Sequence, residues 1–405
     1  MIYSLGRPCR GMNEYDVMVV GASAGGSTCA RLLGEKGLRV LLVDQATFPH
    51  PRGGHDLILE GDLSVLGDSF RERVERKNPL SLGGLSLVGD SLEGGSPSPA
   101  FKGIGVSRSG VDTLLFEQAS KGVDFREKTQ AVGLVRKEGL VAGVRLANLS
   151  TKEVKEVTSD VIIGADGPFS MVAEWSGLET HNPHHAWVSV QTLAAFSDPI
   201  DSIVRVHPLL AHAPAYAWMI PQSADSMSVG LSFPLSRVRS LHMDIAHELS
   251  SFLAHPYFVQ RNISSSEFVH SSMRIHPSPV ARSRANVLLL GHAAGLGGPF
   301  LGESFSNELR SAQIASDVIF HASENGFDPA ILAEYSDRCS LELGARLQDS
   351  KNILRWMGYP SLLQRGIQRV DHGTNGHSFP GLWHCKETRK DLANPIQFLR
   401  VAAWA

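Results

Sequence analysis

Cysteine is scarce in this chain. Four occur in 405 residues, Cys9, Cys29, Cys339 and Cys385, and no two form a C-x-x-C pair. That spacing supports neither a metal-ligand set nor a disulfide framework, and it fits a reducing compartment, so a cytoplasmic protein with no metal site is expected. Long apolar runs are also missing: nothing approaches the roughly 20 residues needed to span a bilayer. The first eleven residues carry Arg7 and Arg10 but no apolar stretch, so no secretory signal is expected, and Met12 stands just before the first strand as an alternative start. Clusters of Lys and Arg are absent and the formal charge is -3, which argues against nucleic acid as a partner. With 42% hydrophobic and 20% charged residues the composition is that of a folded globular protein rather than a disordered one, long enough for two or three domains. No internal repeat is visible.

What is present begins with a short apolar run, Val17 to Val20, ending in glycine, the pattern of a buried parallel strand. Ser27 to Lys36 has helical spacing, Gly37 stops it, and Arg39 to Val43 gives a second buried strand closed by Asp44. Between strand and helix lies Gly21-Ala22-Ser23-Ala24-Gly25-Gly26. Gly21 and Gly26 fill the first and third places of G-x-G-x-x-G, the tight turn and the close helix packing, while Ser23 holds the second. Ser23 is small enough to leave a phosphate room on the helix N-terminus, and Asp44 stands where a carboxylate accepts hydrogen bonds from an adenosine ribose. This βαβ unit predicts a bound dinucleotide, FAD or NAD rather than a 2′-phosphorylated one.

Further along, Ser81 to Gly105 is rich in Gly, Ser and Pro and reads as a long mobile loop or irregular hairpin. Thr113 to Lys121 reads as helix, Ala131 to Arg145 as two strands around Glu138-Gly139, and Val161 to Ile163 as a buried strand ending at Gly164-Ala165-Asp166-Gly167. Trp187 to Pro234 alternates as an antiparallel sheet would, and Met243 to Leu253 is helical. Val287 to Leu290 is a last buried strand before a helix from about Ser304 to Phe320, and the tail from Pro329 is helical to about Gln368.

Three segments then carry a resemblance. Gly164-Ala165-Asp166-Gly167-Pro168-Phe169-Ser170 is similar to the G-A-D-G-x-x-S segment of class A flavoprotein monooxygenases. Gly291-His292-Ala293-Ala294-Gly295, with Pro299, Gly302-Glu303, Asn307, Arg310-Ser311 and Ala315, is similar to the G-D-A-A-G…P…G-E-G…R-S block of geranylgeranyl reductases. Arg108, Asp112 and Leu115 resemble the R-x-x-x-D-x-x-L segment, whose arginine approaches the cofactor. Class A hydroxylases, geranylgeranyl reductases and flavin-dependent halogenases share one superfamily. The resemblance implies an α/β fold: a Rossmann-type FAD-binding domain of the glutathione-reductase-like βαβ kind, interleaved with an antiparallel-sheet substrate domain, plus C-terminal helices. The expected boundaries are 12-75, 101-180 and 275-335 for the FAD-binding domain, 76-100 and 181-274 for the substrate domain, and 336-405 for the C-terminal helical region. It implies FAD held by Gly21, Ser23, Ala24, Gly26, Asp44, Arg108, Asp166, Gly167, His292, Gly302, Glu303 and Ser304, and a transient NADPH or NADH as reductant.

The chain departs from the pattern at three places. His292 replaces the aspartate that hydrogen-bonds the ribityl chain; either the imidazole substitutes for it or FAD binding is weakened. Ser304 replaces the second glycine of G-E-G. Gly53 stands where many geranylgeranyl reductases carry cysteine. Tyr216-Ala217-Trp218-Met219-Ile220-Pro221 is similar to aromatic segments of both reductases and halogenases, and His50 and His55 flank the glycine pair, so Tyr216, Trp218, His50 and His55 are the candidate catalytic groups. His181, His184, His185, His207 and His212 fall in the expected substrate domain, and Lys77 and Lys102 are the lysines a halogenase would need. The first expectation is an FAD monooxygenase that hydroxylates or epoxidises a hydrophobic or aromatic small molecule of specialised metabolism with molecular oxygen, through a flavin C4a-hydroperoxide. The alternatives are a reductase of carbon–carbon double bonds, a halogenase, and a redox-neutral cyclase or binding protein on the same fold.

Overall fold

A computed structural model of the chain describes residues 14–49, 53–76, 79–93, 102–138, 140–178, 185–276, 280–298 and 303–357. In chain order the first elements are β1 (Tyr15–Val20), α1 (Ala24–Glu35), β2 (Val40–Val43), β3 (His55–Leu59), α2 (Leu63–Leu66), α3 (Asp68–Glu75), β4 (Ser81–Leu82), β5 (Gly84–Leu87), β6 (Gly103–Ser107) and α4 (Arg108–Ala119). There follow β7 (Asp124–Arg126), β8 (Thr129–Lys137), β9 (Leu140–Asn148), β10 (Val154–Gly164), α5 (Met171–Ser176), β11 (Ala186–Ala195), β12 (Ile203–Pro208), β13 (Tyr216–Pro221) and β14 (Ser226–Pro234). The remainder is α6 (Leu235–Leu241), α7 (Ile245–Leu253), α8 (Pro256–Val259), β15 (Ser264–Ser265), β16 (Val269–Arg274), β17 (Ser283–Arg284), β18 (Val287–Leu289), α9 (Glu303–Ser323) and α10 (Pro329–Met357).

The first sheet runs β17-β18-β10-β1-β2-β7, with the β8–β9 hairpin attached through β10. The segments of β1, β2 and β10 that pair at the centre of this sheet are apolar because both faces are covered: Val17, Met18, Val19, Leu41, Leu42, Ile162 and Ile163 are fully buried or nearly so. β1 pairs in parallel with β2 and β10, Val20 opposite Val43 and Gly164. That register brings the turns after all three strands, at Gly21, Asp44 and Ala165, to one edge, the place where open α/β sheets bind ligands.

The second sheet runs β15-β11-β14-β13-β12-β5, with β16 also on β11. Along β13 alternate side chains part company. Ala217 and Met219 join a core with Leu249 of α7 and Phe258 of α8, while Tyr216, Trp218 and Ile220 face a cavity. A small third sheet, β3-β6-β4, lies between the two. α9 ties the layers together: Phe305 and Leu309 pack with Ile58 and Phe70, and Ile314, Ala315 and Val318 pack into the core of the first sheet.

Several sequence expectations need correction. The Ser81 to Gly105 stretch holds strands β4, β5 and β6 at its ends, and β5 pairs in parallel with β12, so the second sheet is not purely antiparallel. These strands are two to five residues long, too short for alternation to show, and distant partners fix them. α1 starts at Ala24, since the glycine turn itself forms the first helical turn, and α4 starts at Arg108 with Ser107 as its cap. The expected helix to Gln368 is described as far as Met357.

Candidate active site

One cavity of about 680 Å³ lies open to the turns of the first sheet at one end and to the inner face of the second sheet at the other. At the nucleotide end, Gly21 has φ +104°, and a Cβ there would lie 2.3 Å from the Ala165 carbonyl oxygen; one on Gly26 would lie 1.9 Å from that of Gly21. The turn and the helix start can pack this way only without side chains. Ser23 lines the cavity and its side chain makes no capping bond to α1. The N-terminal end of a twelve-residue helix therefore faces a cavity without a carboxylate or hydroxyl cap of its own, a setting that favours an anion. The Asp44 carboxylate, on the cavity wall, accepts the Ala22 N–H at 2.7 Å and the Ala46 N–H at 2.8 Å. Those bonds fix its orientation and leave lone pairs for a ribose hydroxyl.

Asp166 and Gly167 also line this end. The Asp166 carboxylate is committed to its own turn, accepting Ser170 Oγ at 2.6 Å and the N–H groups of Met171 and Val172. Burial raises its pKa and those hydrogen bonds work the other way. Ala24 and Gly26 are buried off the cavity and shape it indirectly.

Arg108 occupies the middle. Its guanidinium lies 3.1 Å from Glu308, 3.4 Å from Asp112 and 3.6 Å from Asp56, over the Phe305 ring. Burial works against its charge, but the carboxylates beside it, Asp112 first and then Glu308, more than reverse that and hold it cationic. His292 lies 3.3 Å from the other oxygen of Glu308. The histidine that takes the aspartate's place thus sits beside a carboxylate delivered by α9. Ser304 lines the cavity with its hydroxyl turned to the loop, accepting the Gly298 N–H and donating to the Gly298 carbonyl. Glu303 points elsewhere: 1% exposed, it accepts Ser350 Oγ at 2.9 and 3.1 Å and faces Arg346, within the α9–α10 contact. Gly302 and His50 lie outside the described residues.

The far wall is made by Tyr216, Trp218, Ile220, Ser189, Gln191 and β16 residues Val269 to Met273. Gln191 joins the wall to β3, accepting the His55 N–H at 3.0 Å and Ser228 Oγ at 2.9 Å. His55 lines the cavity, and burial lowers its pKa. A Cβ on Gly53 would stand 2.7 Å from Val269 Cγ2, so a valine from the second sheet fills the space that a side chain at 53 would need. The remaining histidines do not gather: His207 faces the Val88 carbonyl, His212 faces Glu248, and His185 pairs with His276, while His181 and His184 lie outside the described residues. Sequence reasoning missed Asp56, Gln191, Glu308 and the β16 wall. Asp56 follows His55 directly and Glu308 follows Asn307, but neither belongs to a quoted motif, and only the fold brings them to Arg108.

The family described as FAD binding domain matches residues 87–240. The digeranylgeranylglycerophospholipid reductase of Methanosarcina acetivorans is 28% identical over 321 residues, covering 77% of this chain and 76% of that protein. Among solved structures, a geranylgeranyl bacteriochlorophyll reductase-like protein of Thermoplasma acidophilum superposes with a TM-score of 0.81 at 20% identity, covering 97% of this chain and 99% of that one. The flavin-dependent halogenase CmlS superposes with a TM-score of 0.71 at 19% identity, over 97% of this chain and 70% of its own. The fold is that of the class A flavoprotein superfamily. Within it, the chain is an FAD-dependent oxidoreductase.

The residues present fit FAD. The tight turn at Gly21 and Gly26, the helix N-terminus and Asp44 suit the pyrophosphate and adenosine ribose, and Arg108, His292 and Ser304 border the stretch between that end and the aromatic wall. When bound, FAD supplies two-electron chemistry; the protein's part is to hold it, exclude water and place the partner.

Proposed function

We propose that this protein reduces carbon–carbon double bonds of an isoprenoid chain, with FAD recharged by NADPH or NADH. One observation carries the reading: its likeness to digeranylgeranylglycerophospholipid reductases spans about three quarters of both chains, well beyond a dinucleotide-binding segment. The aromatic strand gives it physical support. Tyr216, Trp218 and Ile220 offer an apolar face on which a prenyl chain can lie, opposite the flavin end of the cavity. The substrate is accordingly hydrophobic and lipid-like.

Hydroxylation is the second reading, since the superfamily hosts it. Halogenation has less support: Lys102 does not line the cavity, no other lysine does so among the described residues, and Lys77 lies outside them. A non-redox role drew its case from His292 and Ser304, and both substitutions are accommodated by local partners, Glu308 and Gly298. The test is anaerobic turnover of a digeranylgeranylglycerophospholipid with NADPH or NADH, followed by mass spectrometry. Gain of one H₂ per double bond supports reduction. Oxygen uptake coupled to substrate, with an oxygen atom in the product, favours hydroxylation.

A further inference from the structure

Among the described residues four carboxylates line the cavity, Asp44, Asp56, Asp166 and Glu308. Asp44 and Asp166 are each held by backbone N–H groups at the nucleotide end, and Glu308 lies between Arg108 and His292. Asp56 is placed differently. It sits on β3 at the seam with the second sheet, where its neighbour His55 donates to Gln191 and its own carbonyl accepts from Gln222 Nε2. Among the described residues its carboxylate accepts the adjacent Leu57 N–H at 2.9 Å and stands 3.6 Å from Arg108.

Arg108 is one cation facing three carboxylates, and Asp56 is the farthest of them at 3.6 Å, against 3.1 Å for Glu308 and 3.4 Å for Asp112. A third negative charge in that setting gains least from the cation and is repelled by the other two. Taking up a proton at Asp56 relieves this. Burial raises the Asp56 pKa; Arg108 opposes the rise, and Glu308 and Asp112 reinforce it. The other groups facing this end are poor acids. Burial lowers the pKa of His55, leaving a neutral imidazole, and raises that of Tyr216, whose hydroxyl also bonds Ser232. No cysteine lines the cavity among the described residues, and Val269 closes the space beside Gly53.

We propose that Asp56 stands as a neutral carboxylic acid at the flavin–substrate boundary and gives its proton to the substrate alkene. The assignment of the acceptor rests on the reductase reading. Reducing an alkene adds two hydrogens. One carbon takes hydride, with its electron pair, from the reduced cofactor. The other takes the Asp56 proton, the O–H bond breaking as the C–H bond forms, and water reprotonates the carboxylate.

Asp56→Asn tests this, because the amide imitates a neutral acid in shape but has no proton to give. The variant is expected to match or exceed wild-type stability in urea at pH 7.5, to bind FAD and to be bleached by NADPH, yet to reduce isoprenoid at least 100-fold more slowly. An infrared difference spectrum between wild type and variant should show the carbonyl band of a protonated acid in the wild type alone. Should Asp56→Asn not fold, Asp56→Glu supplies the comparison through its shifted band. A less stable variant with no acid band in the wild type means that Asp56 is the ionised partner of Arg108, and overturns the proposal. Unchanged turnover in Asp56→Asn overturns the donor role alone. A wild type that cycles FAD but reduces no isoprenoid defeats the reductase reading and the donor role together, while the infrared band still decides the protonation state by itself.

Discussion

His276 shows how strongly single residues feel this fold. It is 5% exposed, pairs with His185 at 3.1 Å, and its pKa is pushed down to about 4, first by burial and then by His185, Arg274 and Arg282. Above pH 6.5 it is neutral both folded and unfolded and contributes no pH dependence. Below 6.5 the unfolded chain binds a proton that the native state refuses, so stability falls as pH drops from 6.5 toward 4, by up to about 3 kcal/mol. His276→Gln should lose less stability than wild type between pH 7.5 and 5 in urea titrations; an equal loss would remove the assignment. Gly53 gives a second prediction. Gly53→Cys should destabilise by about 1–3 kcal/mol through the Val269 contact, and Val269→Ala in the same chain should recover most of it. At this scale motif spacing was enough to single out Asp44, Arg108 and Trp218, and all three line the cavity. Asp56 and Glu308 were not legible, because their meaning comes from meeting Arg108 across three separate elements.

Among the elements, the βαβ start and α9 were readable from apolar runs and helical spacing, as β1, β2 and their shared register with β10 bear out. β4, β5 and β6 were hidden in a Gly/Ser/Pro-rich stretch and owe their form to partners such as β12. Glu303 marks the boundary of motif reasoning. Its place in the G-E-S segment suggested the cofactor, whereas its carboxylate bonds Ser350 on α10. Ser350→Ala should therefore cost about 1 kcal/mol in unfolding free energy and leave FAD affinity unchanged. A large fall in FAD affinity without loss of stability would return Glu303 to the cofactor.

The whole molecule places a dinucleotide cradle and an aromatic wall on one cavity, and neither sheet alone makes it. That the chain interleaves between the two sheets was what the resemblance implied, and β5, which joins the second sheet between β2 and β7 of the first, agrees with it. The chemistry performed there was harder to read, because the segments that carry the resemblance are common to hydroxylases, halogenases and reductases, and the Tyr216 to Pro221 strand is similar to segments of both reductases and halogenases. The most direct measurement is an anaerobic titration of the FAD-loaded protein followed at the flavin absorption band. NADPH or NADH should bleach the flavin, and a digeranylgeranylglycerophospholipid added without oxygen should restore its colour as the lipid gains hydrogen. A flavin that stays bleached until air is admitted, with the lipid then gaining oxygen, would contradict the account.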